Sequence, residues 1–286
     1  MKLSTEFSED NRELWLQISR NPAWEPFSFV ERVVRVIYEH RLCNGDVVID
    51  GGANRGMHTL PLSEKVGESG RVIAVEANPF LASRIENFVQ EHQIKNIEVI
   101  SKALGAKDGF TDFNIAKNCD PLSGIRRRPD LVDQIVDVVQ VPLIRLDTIV
   151  SNLNLPNIRF IKLDLEGGEY DALCGAQQIL QANEGPLIIL ENGRQWSGDL
   201  YGFTKDAWFS LFEKNGYKVF DLFGYPFSRG AWDMPEMCWY SIAAKTTEDV
   251  RFVESDLEPL MHIVYDNMPP VGQTPWSTQK FKYAYI

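Results

Sequence analysis

Cysteine is scarce in this sequence, and the four present form no pattern. Cys43, Cys119, Cys174 and Cys238 are widely spaced with no CxxC pair, so neither a zinc cage nor a disulfide framework is indicated and they read as reduced thiols. Long apolar runs are missing too, since no stretch approaches the ~18 continuous apolar residues of a membrane span. Met1 to Glu9 carries acids where a secretory signal would place a basic segment before an apolar one, which makes the cytoplasm the expected location. Positive charge is in the minority, with 29 Lys and Arg against 40 Asp and Glu and a net charge of −11. Such a field repels nucleic-acid phosphates and anionic lipid headgroups, so the expected partner is a small molecule, a glycan or another protein. No repeat of twenty to fifty residues recurs, which excludes solenoids and propellers.

What is present is a hydrophobic content of 44% in 286 residues, enough for one sizeable core. Ser28 and Glu31 have capping-box spacing, and Phe29, Val33, Val34, Ile37 and Tyr38 recur at helical intervals until Asn44-Gly45, so a helix precedes the first strand. Strands then alternate with helices: Val47–Asp50, Arg71–Glu76, Ile97–Ile100, Ile158–Asp164, Leu187–Glu191 and Tyr217–Asp221, with helices at Phe80–Val89, Glu169–Leu180 and Lys205–Asn215. This is the pattern of right-handed crossovers on a parallel sheet. Two strand-like runs, Phe110–Ile115 and Ile135–Val141, interrupt it and read as an inserted hairpin bearing a loop at Lys117–Pro129. A last strand, Trp239–Ala244, completes the sheet. Beyond Lys245 the pattern weakens, and this tail is a candidate for pairing with another chain as a homo-oligomer. The expected organisation is a helical segment over 1–45, a catalytic domain over 46–245 and an extension over 246–286.

After the first strand the chain reads Gly51-Gly52-Ala53-Asn54-Arg55-Gly56, a tight turn into a helix that can be laid on the dinucleotide fingerprint, with Glu76 as its distal acid. Ala53 occupies the glycine position that lets backbone approach a pyrophosphate. Asp50 at the strand end would repel that pyrophosphate by ~4 kcal/mol for unit charges 4 Å apart at intermediate dielectric. The same carboxylate attracts a cation. S-adenosyl-L-methionine (SAM) carries a sulfonium and an ammonium, and the turn's N–H groups can hold its carboxylate. Charge therefore favours SAM over NAD, while Glu76 suits the ribose hydroxyls of either.

Three segments carry a resemblance: Val48-Ile49-Asp50-Gly51-Gly52-Ala53-Asn54-Arg55-Gly56, then Val75-Glu76-Ala77-Asn78-Pro79, and Ile161-Lys162-Leu163-Asp164-Leu165-Glu166-Gly167-Gly168-Glu169. In order and spacing, from about Asp46 to Phe220, the chain resembles the FkbM-like SAM-dependent methyltransferases. The likeness implies an α/β, Rossmann-like class I methyltransferase fold, a mostly parallel seven-strand sheet with an antiparallel last strand. It departs from the family's usual pattern at Gly51, Ala77 and Gly168. The cofactor contacts expected are Asp50, Gly51, Gly52, Ala53, Asn54, Gly56, Thr59, Glu76, Ala77, Asn78, Ser101 and Ala103, with Thr59 bonding the cofactor's carboxylate.

Asp164 and Glu166 share a side near the end of their strand, with Glu169 in the helix beyond. For an alcohol acceptor a base is needed, and Asp164 is the first candidate, Glu191 the second. A rival reading has Asp164, Glu166 and Glu169 holding Mg²⁺, and a structural one has Glu166 and Glu169 capping backbone and meeting Lys162; no resident metal is expected. His58 reads as a hydrogen-bonded surface residue, and Arg126-Arg127-Arg128 as solvated charge on a lid or an anion contact. Fourteen of the chain's 32 aromatic residues fall between Trp196 and Tyr240. Trp208, Phe209 and Phe212 are at core spacing, while Trp196, Tyr201, Phe223, Tyr225, Phe227 and Trp232 could stack on a sugar or polyketide-like acceptor. The leading expectation is O-methylation of a hydroxyl, against an NAD-linked oxidoreductase or a non-catalytic binding protein of the same fold. An Asn-Pro-Pro-Tyr motif or Pro-Cys nucleophile, as in nucleic-acid methylation, is absent.

Overall fold

A computed structural model describes residues 26–116, 122–129, 136–234 and 238–266. Among the described residues ten strands form, in chain order β1 (Val47–Gly51), β2 (Arg71–Val75), β3 (Ile97–Ile100), β4 (Ala103–Leu104), β5 (Gly109–Ala116), β6 (Val136–Ile144), β7 (Phe160–Leu163), β8 (Leu187–Glu191), β9 (Lys218–Asp221) and β10 (Tyr240–Ala244). Seven of them make one sheet in the order β3-β2-β1-β7-β8-β10-β9. β1 is parallel to β2 and β7, and β7 to β8, while β10, the last in sequence, runs antiparallel between β8 and β9. Strand order reverses between β1 and β7, which opens a crevice at their C-terminal ends.

The central strands are nearly uninterrupted Val, Ile and Leu because both of their faces are covered. Alternation sends Val48, Val72, Phe160 and Ile189 into a core shared with the helix Pro26–Arg41 and the helix Leu257–Asp266. Ile49, Ile73, Ile161 and Leu190 enter a second core with the helices Leu146–Asn152, Gln177–Gln181 and Lys205–Glu213. Among the described residues no helix is long and apolar enough to cross a membrane.

Several elements differ from the sequence expectation. Ser28 lies inside the helix Pro26–Arg41 rather than at its cap. The helix expected over Glu169–Leu180 is two pieces, Glu169–Cys174 and Gln177–Gln181. A Cβ on the intervening Gly175 would sit 2.3 Å from the carbonyl oxygen of Gly105, and the amides freed at the break, Gln178 and Ile179, donate to Asp147. The hairpin exists as β5 and β6, but with β4 it forms a separate three-stranded sheet; part of its loop, 122–129, is described and bridges back through Asn114 and Gly124. Beyond Lys245 the weak pattern hides helix: Thr247–Arg251, a π-helical turn Phe252–Asp256, then Leu257–Asp266. Thr246 caps the start by accepting from Asp249 N, and Phe252, Val253, Leu257, Met261 and Val264 pack into the first core. The Pro- and Gly-rich stretch 268–276 lies outside the described residues.

Candidate active site

The turn after β1 is shaped by close approach. Gly52 adopts φ 78°, and a Cβ there would fall 1.9 Å from the carbonyl oxygen of Asp164, so no side chain fits where this turn crosses the end of β7. Gly52 and Ala53 donate their N–H groups to Val75 O at 2.9 and 3.1 Å. Asp50, 1% exposed, accepts the Thr59 hydroxyl on Oδ2 at 2.6 Å, and its Oδ1 is buried without a partner. Glu76 staples both neighbouring turns, its Oε2 accepting from Asn54 N and its Oε1 from Asn78 N, each at 2.7 Å. Burial nevertheless pushes the Glu76 carboxyl up to about 7 against those two N–H donors.

These groups line a cavity of about 780 Å³ at the crevice. Of the residues expected there, Asp50, Gly52, Ala53, Asn54, Glu76, Ala77, Ala103, Asp164 and Glu191 are on its wall. Five are off it, and four of these act in support. Gly51 packs where a Cβ would meet Leu104 and Leu163 at 2.8 Å each, and Gly56 holds the turn at φ 77°. Thr59 is buried and its hydroxyl is spent on Asp50, so it does not reach a cofactor carboxylate. Asn78 caps the following helix through Phe80 N. Ser101 is exposed, and the wall takes Lys102 beside it instead.

The first helix reaches the site, which the sequence reading missed. His58 lines the cavity yet is 3% exposed, not a surface residue. Its Nε2 meets the Glu31 carboxylate in a short contact, and its Nδ1 lies 3.4 Å from the Tyr38 hydroxyl. Glu31 is fully buried with Oε1 unpartnered. The sequence carries a signal for this: Glu31, Val34 and Tyr38 fall in one helical row, which puts an acid at a core position, whereas its spacing from Ser28 points to a cap.

At the other end of the cavity Asp164, Glu166 and Glu191 present carboxylate oxygens within 4.8 Å of one another. Glu169, the third member of the expected trio, is turned away, its Oε1 accepting from Leu165 N at 2.6 Å and Gly167 N at 3.4 Å. Glu166 pairs with Arg128, and it is Asp164 that meets Lys162, at 3.2 Å, while also accepting from the Tyr240 hydroxyl at 2.9 Å. Protein cations thus already pair with two of the three acids, Lys162 with Asp164 and Arg128 with Glu166. Burial works against the Asp164 carboxylate, but Lys162 and Tyr240 bring it below the usual aspartate value. Burial raises Glu191 well above the usual glutamate value, and the charges of Asp164, Glu166 and Glu169 push it further. Burial also lifts Glu169 to about 8.

A family model described as the methyltransferase FkbM domain matches residues 50–219, which run from Asp50 through both carboxyl-bearing strand ends. The chain belongs to the FkbM methyltransferase family. It is similar to an FkbM methyltransferase structure from Methylobacillus flagellatus KT, with 16% identity over 71% of this chain and a TM-score of 0.46, and it spans 44% of that chain. It is also similar to fibrillarin from Aeropyrum pernix in complex with SAM (13% identity, 76% of this chain and 75% of that one, TM-score 0.43). A SAM-dependent O-methyltransferase from Thermotoga maritima gives 13% identity over 82% of this chain and 71% of that one, with a TM-score of 0.41. No curated protein matches. The cofactor of this FkbM chain is SAM, and the cavity fits it: the unpartnered Asp50 Oδ1 and the acidic wall suit a cation, and the crowding at Gly52 leaves bare backbone at the turn.

The FkbM match excludes four residues that shape the cavity: Glu31 and Tyr38 behind it, and Trp239 and Tyr240 on its wall. The aromatic segment also divides. Phe223, Phe227 and Trp232 are buried core, with Trp208 and Phe209 ringed by Phe227 and Trp232, so they do not offer a stacking surface. Trp196 and Tyr201 stand beside the site, against Gly167, and the Arg128 guanidinium lies 4.8 Å above the Trp196 ring. Arg128 therefore clamps the loop 122–129 to the acidic cluster.

Proposed function

We propose that this chain methylates a hydroxyl group on a small-molecule or glycan acceptor, with SAM as the methyl donor. The observation that carries the reading is a single cavity joining the glycine turn and its buried acids to the Asp164–Glu191 carboxyl pair. Asp50, Gly52, Ala53 and Asn54 would hold the amino-acid end of the cofactor, Glu76 and Ala77 its ribose, and Ala103 and Leu104 its base. Bound there, SAM supplies an electrophilic methyl on a sulfonium whose positive charge vanishes as the methyl leaves. The chain's own contribution is alignment, worth up to ~7 to 11 kcal/mol in such displacements, and disposal of the hydroxyl's proton, for which the carboxyl pair is placed.

Trp239 and Tyr240 on the wall, and Trp196 and Tyr201 beside Gly167, offer flat surfaces next to carboxylates. That combination suits a polyhydroxylated or ring-bearing acceptor. The net charge of −11 disfavours nucleic acid and anionic membranes as acceptors. Calorimetry with SAM, S-adenosylhomocysteine and NADH tests the cofactor site, with binding of the first two expected and tight NADH binding counting against it. Incubation with methyl-labelled SAM and a panel of hydroxylated acceptors tests the reaction. Label recovered on amines alone would refute O-methylation.

A further inference from the structure

We propose that Glu191 is the residue that touches the acceptor's hydroxyl and takes its proton, working as one unit with Asp164, and that the pair enters the reaction holding a single proton. This rests on the methyl-transfer reading above and reverses the order in which the sequence ranks the two acids.

Carboxylate oxygens of Asp164 and Glu191 lie within 4.8 Å of one another, and two buried carboxyl groups that close do not both ionise, so the pair holds a single proton. Their surroundings decide which one. On Asp164, Oδ2 receives both the Lys162 ammonium and the Tyr240 hydroxyl, and each favours the ionised form. Among the described residues no cation is placed on Glu191 in the same way. The acids Glu166 and Glu169 just beyond β7 and Asp164 itself bear on Glu191, and Arg128 is engaged with Glu166. Asp50 from β1 and Glu31 from the first helix act on the neighbouring Lys162. Glu191 is therefore the neutral member and donates to Asp164.

Its Oε2 is then a carbonyl-type acceptor, and it is buried without any partner on a residue that lines the cavity. A buried acceptor left unpaired is destabilising, and a hydroxyl donor from the acceptor would satisfy it. As the acceptor oxygen gains its methyl, the O–H bond breaks and that proton passes to Oε2 of Glu191. The proton Glu191 already shared moves fully onto Asp164. The methyl arrives with the loss of the sulfonium charge, so the ether is neutral, the pair goes from one proton to two, and solvent later removes the extra one. In this scheme Glu191 is catalytic, while Asp164 is the final proton store, and Lys162 and Tyr240 are positioning residues.

The test reads the proton itself. In substrate-free protein carrying ¹³C-labelled glutamate, infrared spectra at pH 7 of the wild type and Glu191→Gln are subtracted. The wild type is expected to show a protonated-glutamate carbonyl band that the variant lacks, with SAM affinity changed less than about threefold and kcat lowered by ~10²- to 10⁴-fold. An unchanged spectrum means Glu191 is ionised and overturns the proposal. A lost band with kcat intact also overturns it, by removing the catalytic role. Should Glu191→Gln fail to fold, Tyr240→Phe decides: without its donor Asp164 becomes more basic, so the acid limb of the kcat profile should move to higher pH, and an unmoved limb sinks the paired-proton scheme. Absence of SAM binding to the wild type would instead refute the methyl-transfer reading, and with it the catalytic role, whatever the spectrum shows.

Discussion

Strand β7 has a buried charge cluster at each end, and the two clusters are built in opposite ways. Before the strand, Arg159 donates to both oxygens of Asp249 at 2.9 and 2.6 Å. Arg41 adds a bond at 3.0 Å and Thr246 another at 2.8 Å. Burial opposes the Asp249 carboxylate, but the Arg159 bonds, Thr246 and Arg41 together hold it below the usual aspartate value. After the strand the acids crowd one another, Glu191 Oε2 and the nearby Asp50 Oδ1 are unpartnered, and Glu191 and Glu169 are driven up rather than down. A satisfied cluster has no vacancy for a ligand, so it serves folding by tying the first and last helices to the sheet. An unsatisfied one carries a cost that only a bound partner relieves, which is the mark of a functional edge.

The largest test of that contrast is Asp249→Ala. It strands Arg159 and removes one of the two acids that Arg41 pairs with, so it should lower stability by about 3 to 5 kcal/mol, read as a fall in the urea midpoint, with SAM affinity of the folded protein unchanged. Glu191→Gln should do the reverse, holding or raising stability by up to ~1 to 2 kcal/mol while losing turnover. Equal destabilisation by both would erase the distinction between the ends.

The two ends should also titrate oppositely. Glu76 at about 7 and Glu169 at about 8 lie above their unfolded values near 4.5, so between those limits the folded chain binds more protons than the unfolded one. Stability must then fall as pH rises from about 5 to 8, each unit of displacement being worth about 1.4 kcal/mol. Asp249, held low, contributes stability that is present above its unfolded value and is lost as pH falls through its folded one. Stability, measured by denaturation across pH, should therefore peak on the mildly acidic side. Glu169→Gln should flatten the alkaline decline and leave the acid limb alone.

How much of this was legible in the sequence depends on whether a residue's role is local. The glycine turn, the strand-end acids and the alternation of β1, β2, β7 and β8 were readable because their signals lie within a few residues. Thr59 and Asn78 come beside the crevice bonded to Asp50 and Phe80 N, which the sequence does not reveal, since whether a hydroxyl meets a ligand or Asp50 depends on rotamer and depth. The pairings of Glu31 with His58, Tyr240 with Asp164 and Arg128 with Glu166 span 27, 76 and 38 residues. No periodicity encodes such partners. The helix after Thr246 was missed because its apolar spacing shifts across a π-helical turn, which breaks the 3.6-residue register a pattern search relies on.

Glu31 lies between the two classes, with one oxygen on His58 and the other unpartnered. Glu31→Gln keeps the shape and removes the charge, so it should cost both stability and SAM affinity by about 1 to 2 kcal/mol, measured by urea unfolding and calorimetry. A loss confined to stability would assign the first helix wholly to the folding side of the comparison.

The smallest effect is expected at Arg128, which joins the functional edge to the loop above it. Its guanidinium pairs with Glu166 and lies over Trp196, and both contacts are only partly buried, so Arg128→Ala should lower stability by no more than about 1 kcal/mol. Function should register more. The loop 122–129 contributes Leu122, Ser123 and Ile125 to the cavity wall, and without its clamp the acceptor side loses alignment while the glycine turn keeps its own bonds. The expected result is a KM for the acceptor raised up to ~10-fold with SAM affinity unchanged, that is, about 1.4 kcal/mol of lost positioning. Arg128→Lys separates the causes, because lysine keeps the charge toward Glu166 but lacks the planar face that stacks on Trp196. If lysine restores KM, charge alone holds the loop; if it behaves like alanine, the stacked guanidinium is what keeps the acceptor side closed.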